Sequence, residues 1–106
     1  MGKNKAQEEQ WSDIEGTNYA VSNLGEVINK KNNRALRACM NGRGYLQVVL
    51  YKGGVRFTRR VHTLVAQAFL ADYNKDFEVL HKNTNQNDCS AGNLKMGPYK
   101  IGARRG

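Results

Sequence analysis

The stretch VLHKNTNQNDCSAGNLKMGPYKIGARR, residues 79–105, decides how the chain is read. An aliphatic pair, Val79-Leu80, runs straight into His81, and a polar loop rich in Asn follows. Asn93-Leu94 then opens a second short apolar segment, and Lys95, Lys100, Arg104 and Arg105 make the end basic. This order predicts a strand, a loop, a strand and a short closing helix. Gly97-Pro98 predicts a strand stop with proline in the first helical turn, and Gly102 weakens that helix by about 1 kcal/mol relative to alanine. Asn83, Asn85, Asn87 and Asp88 are oxygen donors, and they are also the residues that tight turns use.

Upstream, residues 18–61 have the pattern of strands. Ser22-Asn23-Leu24-Gly25, Lys31-Asn32-Asn33 and Asn41-Gly42-Arg43-Gly44 carry turn chemistry between short apolar runs. Tyr45–Tyr51 and Val55–Val61, rich in β-branched and aromatic residues and separated by Lys52-Gly53-Gly54, predict a hairpin. In its second strand Val55, Phe57, Arg59 and Val61 share one face while Arg56, Thr58 and Arg60 share the other, which suits phosphates. The period then changes: Val61, Leu64, Val65, Ala68 and Phe69 fall at helical spacing and predict a helix over 61–70 that closes the sheet. His62, at its start and beside many cations, either touches a phosphate or supports the fold; a satisfied structural residue is the expectation over a ligand, since one imidazole without partners cannot hold a metal. Trp11 and Ile14 begin the ordered part, with Trp11 expected in the core rather than exposed as a reader of bases.

The chain has 106 residues, enough for one small domain or two small modules sharing a core. No apolar run approaches the roughly 18 residues of a membrane span, and the N-terminus MGKNKAQEEQ has no signal-peptide pattern. A cytoplasmic protein is expected, in the host cell's cytoplasm if phage-encoded. Cys39 and Cys89 are too few for a zinc-finger site and are expected to be reduced packing residues. The formal charge is +8, and between Val27 and Ala71 there are nine Lys and Arg residues and no acid. Such a one-sided field attracts a polyanion and releases its counterions on contact, so salt-sensitive binding of nucleic acid is expected.

Three phrases in order, WSDIEGTNYAVSNLGEVINK, LRACMNGRGYLQVVLYKGG and VHTLVAQAFL, precede the His81 segment, and with that segment they span Trp11 to about Arg105. Their sequence and spacing resemble phage and intron-encoded HNH homing endonucleases with an N-terminal modular DNA-binding domain. The resemblance implies an α+β fold: a small antiparallel sheet plus one helix, followed by a ββα-metal core. It divides the chain into a disordered tail over 1–10, a β-rich module over 11–70 and an HNH-like motif over 71–106.

It further implies binding and metal-dependent nicking or cleavage of double-stranded DNA, with magnesium or manganese as the divalent metal. His81 matches the general base, whose imidazole titrates near working pH. Asn93 matches the asparagine that hydrogen-bonds the loop and holds the histidine strand. Two positions depart from the family pattern. The helix residue that binds the metal corresponds to Gly102, and the residue before the histidine, an Asp or Asn ligand in many relatives and an apolar residue in others, is Leu80. Asp88 and Asn83 are the candidate replacement ligands. The alternative reading is an inactive relative that binds DNA, or inhibits a host nucleic-acid enzyme, through its basic face; a third has an acidic protein surface as partner. The candidate DNA contacts are Arg34, Arg37, Arg43, Arg56, Arg59 and Arg60, with Lys95, Lys100, Arg104 and Arg105 near the histidine end.

Overall fold

The computed structural model describes residues 8–83 and 85–99. Four short strands come first, β1 (Trp11–Asp13), β2 (Tyr19–Ser22), β3 (Val27–Asn29) and β4 (Arg34–Ala35), and form one sheet in that order. A second sheet is built from β5 (Cys39–Met40), β6 (Leu46–Lys52) and β7 (Val55–Arg60). Helix α1 (Val61–Phe69) follows without a break; then β8 (Phe77–His81) pairs with β9 (Leu94–Tyr99), with a short 3-10 turn at Ala91–Asn93 between them. All pairings are antiparallel. This is the expected α+β class of antiparallel strands with one helix among the described residues. The closing helix, with Gly102, lies outside the described residues, as do Lys100, Arg104, Arg105 and residues 1–7 of the expected tail.

The β6–β7 hairpin forms where the sequence places it. Gly53 and Gly54 have φ of 58° and 83°, the left-handed pair that a tight hairpin turn of matching twist demands. Asn side chains fix the other turns: Asn29 accepts from the Lys31 amide and Asn41 from those of Arg43 and Tyr45. Ser22 is fully buried, and its hydroxyl accepts from the amides of Leu24 and Glu26, which makes its burial tolerable.

Helix α1 has no side-chain N-cap and no charge suited to its dipole at either end, so packing holds it. Val61, Leu64 and Val65 are buried as the spacing predicts, but so are His62 and Ala66. The helix lies between β2, β6 and β7 on one side and the β8–β9 hairpin with its 3-10 turn on the other, so it buries more than one stripe. The core is continuous across the chain, from Tyr19, Val21 and Val27 through Val48, Leu50 and the helix to Cys89 and Leu94.

Three expectations are corrected. Trp11 is 44% exposed rather than in the core. It lies on an edge strand, where it shares with Asp13 the outward side of the pleat, and Ile14 packs inward instead. Cys39 is exposed on β5, and only Cys89 packs in the core. Gly97-Pro98 does not stop the strand: β9 runs through it to Tyr99. Proline is tolerated there because β9 pairs on one side only, and the register slips at this point. Phe77 faces Tyr99 and Val79 faces Met96, so Gly97 and Pro98 together oppose Glu78 as a bulge.

Candidate functional site

His81 ends β8 and is half-buried. The loop that follows is tied back by Asn93, itself 8% exposed. Its Nδ2 donates to Asn83 Oδ1 at 3.1 Å and to the Asp88 carbonyl at 2.9 Å; its Oδ1 accepts from the Asn83 amide at 3.3 Å. The Asn93 carbonyl accepts from the Lys82 amide at 2.7 Å, next to His81. One asparagine thus spans the loop at both ends. Gln86 Nε2 donates to the Gly44 carbonyl at 3.3 Å and docks the loop against the turn that carries Arg43.

The ring of His81 belongs to a cluster. Its centroid is 4.9 Å from that of His62 and 6.0 Å from that of Tyr45, and Tyr45 stacks on His62 at 4.9 Å. The Arg60 guanidinium lies over the outer part of the cluster, 6.0 Å from the Tyr45 centroid. Burial pushes the His62 imidazole down to about 4, assisted by His81 and Arg60. Burial also lowers His81, with the Asp88 carboxylate pulling the other way. His62 Nδ1 and His81 Nε2 are both buried without a hydrogen-bond partner among the described residues. His62 is therefore not the satisfied residue expected from sequence: α1 is covered on the β8 side, so its second residue is driven against His81, and its Nδ1 has no hydrogen-bond partner among the described residues. Tyr45 was legible only as a strand residue; its position just after Asn41-Gly42-Arg43-Gly44 was the available signal.

Asn83 Oδ1 and one carboxylate oxygen of Asp88 are already engaged within the loop. Asn83 Oδ1 accepts from the Asn85 amide and from Asn93 Nδ2, which uses both of its lone pairs. Asp88 Oδ1 accepts from the Ser90 hydroxyl at 2.6 Å and its amide at 3.3 Å. The Cys89 thiol is pushed up to about 11 by burial and by Asp88, so it stays protonated. Among the described residues no three His, Cys, Asp or Glu side chains converge on a point, and hard cations such as magnesium need several oxygens. Among the described residues the donor set does not fit a divalent metal. Leu80, where the family resemblance implies a ligand, instead packs on β9: a Cβ built on Gly97 would stand 2.7 Å from Leu80 Cγ and Cδ1. Gly97→Ala is therefore expected to destabilise the fold by roughly 1–3 kcal/mol through overpacking. Leu80→Ala in the same chain should relieve most of that loss, a coupling that thermal melts of the two single variants and the double would display.

The basic residues divide. Gln47 faces Arg60, Val49 faces Thr58 and Tyr51 faces Arg56 across β6 and β7, so Arg56, Thr58 and Arg60 share the outer face with Tyr51. All four are exposed. Arg59 is paired with buried Val48 and lies on the opposite face, 4.7 Å over the Phe57 ring, in a groove also lined by Asp13 and Glu15. Arg34 in β4, Arg37 after it and Arg43 in the turn are exposed. Lys95 is exposed on β9, opposite Leu80.

Antiparallel strands, one helix, a strand-ending histidine and an asparagine-tied loop define the HNH class of nuclease scaffold. Residues 9–51 match the model of the NUMOD4 motif. The chain is 37% identical over 94 residues to the DNA endonuclease I-HmuI of Bacillus phage SP01, covering 87% of this chain and 54% of that protein. It is 35% identical to an uncharacterized HNH endonuclease, L245, of Acanthamoeba polyphaga mimivirus, over 81% of this chain and 26% of the relative. It is also 33% identical to the H-N-H endonuclease F-TflII of Escherichia phage T5, over 72% of this chain and 40% of the relative. A solved structure described as DNA binding and cleavage by the HNH homing endonuclease I-HmuI superposes with a TM-score of 0.80 at 36% identity, over 91% of this chain and 56% of that one. The chain belongs to the HNH homing-endonuclease family. It spans about half the length of I-HmuI and less of the other relatives.

Proposed function

We propose that the chain binds duplex DNA through the outer face of β5–β7 and does not hydrolyse it with a metal of its own. Arg56 and Arg60 contact phosphates, flanked by Arg34, Arg37 and Arg43; such contacts position a protein without reading sequence. The observation that carries this reading is the β6–β7 register. It sets Arg56, Thr58 and Arg60 together on a solvent-facing surface beside Tyr51, while Asn83 Oδ1 and Asp88 Oδ1 are engaged within the loop. Kinship to a phage enzyme whose solved structure is described as binding and cleaving DNA supports the choice of partner. A second reading, metal-dependent nicking with His81 as general base, is favoured by the intact Asn93 anchor beside that histidine.

Two measurements on the same protein decide between them. Replacing Arg56 and Arg60 together with alanine should reduce the slope of log affinity against log salt by roughly two, about one per lost phosphate contact. An unchanged slope sinks the assigned face, and a shallow slope in the parent points to an acidic protein partner instead. Supercoiled plasmid incubated with Mg²⁺ or Mn²⁺ should remain uncut by the parent. Metal-dependent nicking that His81→Ala abolishes would establish the second reading. Nicking gained only on Gly102→Asn would identify a nuclease scaffold that had lost its metal.

A further inference from the structure

Two imidazoles in this fold each turn a buried nitrogen inward and leave it unpaired. His62 is 6% exposed, and its Nδ1 has no partner among the described residues; the same is true of Nε2 of His81. Buried polar atoms of this kind are nearly always hydrogen-bonded in folded proteins. The two orphans belong to rings whose centroids are 4.9 Å apart, held from different elements, α1 and β8. Among the described residues no other side chain of the cluster is hydrogen-bonded to either of them. Tyr45 lies flat against His62, and Arg60 sits beyond Tyr45. Asp88, the nearest carboxylate by its influence on His81, is occupied at Oδ1 by Ser90.

We propose that His62 is the hydrogen-bond partner of His81: Nε2–H of His81 donates to Nδ1 of His62, and this bond fixes the tautomer of His81. The rotation required is small in kind, because the torsion that turns an imidazole about its Cβ–Cγ bond is broad. Which ring atom carries the proton is set by the bond the other nitrogen makes. The direction of donation follows from the chemistry of the rings. A neutral imidazole has one donor and one acceptor, and a free histidine side chain favours the form protonated at Nε2. With both rings in that form, the buried atom of His81 is a donor and the buried atom of His62 is an acceptor. No tautomer has to be forced. The lone pair of His81 then lies on Nδ1, the nitrogen left for the open side of this half-buried ring. His62 is on this account a positioning residue, carried by the helix that closes the sheet. Its consequence for proton transfer rests on the reading of His81 as the site's base, whereas the bond itself exists whether or not the chain cuts DNA.

The chain contains two histidines, so side-chain ¹⁵N–¹H correlation spectra of the histidine-labelled protein show two rings. At neutral pH both should be protonated at Nε2 and bare at Nδ1, with the Nε2 proton of His81 slow to exchange with water. In His62→Phe, which keeps an aromatic ring against Tyr45, that slow proton should be lost. In His62→Asn, whose Oδ1 can accept where Nδ1 did, it should persist. A His81 ring protonated at Nδ1 in the parent overturns the proposal without any variant, and so does a slow Nε2 proton that survives in folded His62→Phe. Neither result depends on DNA binding or nicking, so the inference and the functional reading fail separately.

Discussion

Asn93→Ala should lower the stability of the protein by roughly 3 kcal/mol, the sum of three neutral hydrogen bonds at about 1 kcal/mol each. The side chain is 8% exposed, and no described group is placed to take over its bonds to Asn83 and the Asp88 carbonyl. In a domain of this size such a loss corresponds to a fall in Tm on the order of 15 °C. The loop should open with it, since its two ends meet at this one amide. Asn93→Asp should also be destabilised: it keeps the acceptor for the Asn83 amide, loses both donated bonds and adds a charge near Asp88. A thermal melt of Asn93→Ala indistinguishable from that of the parent would contradict the anchoring.

The second large effect is on acid stability. A histidine buried in its neutral form must be protonated against its surroundings when the pH falls. With His62 near 4 in the folded chain and about 6.5 unfolded, the unfolded state binds more protons between those values. Stability is therefore full above about pH 6.5, falls as pH drops toward 4 and levels off below it. The contribution is of order 3 kcal/mol. The groups facing His62 are His81, Tyr45 and Arg60, and the two charged influences both disfavour its protonation. Denaturant unfolding of the parent and of His62→Phe across this range should show the parent losing stability relative to the variant as the pH falls, because the variant lacks that ionisation. Parallel curves would show that His62 titrates normally.

Most of the scaffold was legible because local chemistry and burial agreed. The Gly53-Gly54 turn dictates the β6–β7 hairpin, the spacing from Val61 to Phe69 dictates α1, and the polar run before Asn93-Leu94 dictates a loop between two strands. The face carrying Arg56, Thr58 and Arg60 followed from strand alternation alone. What escaped was set by neighbours that periodicity does not encode. Trp11 faces outward because β1 is an edge; Pro98 stays in β9 because that strand has one partner; His62 is buried because α1 is covered on its second side. The Tyr45–His62–His81 cluster joins residues 17 and 19 positions apart, a convergence that no local window displays.

Leu80 over Gly97 bears on how the β8–β9 hairpin can change in sequence. The leucine fills the space that glycine leaves on β9, so the two positions form a matched pair in volume. An acid placed at 80 alone would leave a void above Gly97 and set a carboxylate against apolar surface. A side chain placed at 97 alone would collide with the leucine. Each single step lowers stability before the other compensates, so the pair acts as a ratchet: an exchange of volume between the two strands has to pass through a less stable intermediate, whichever position changes first.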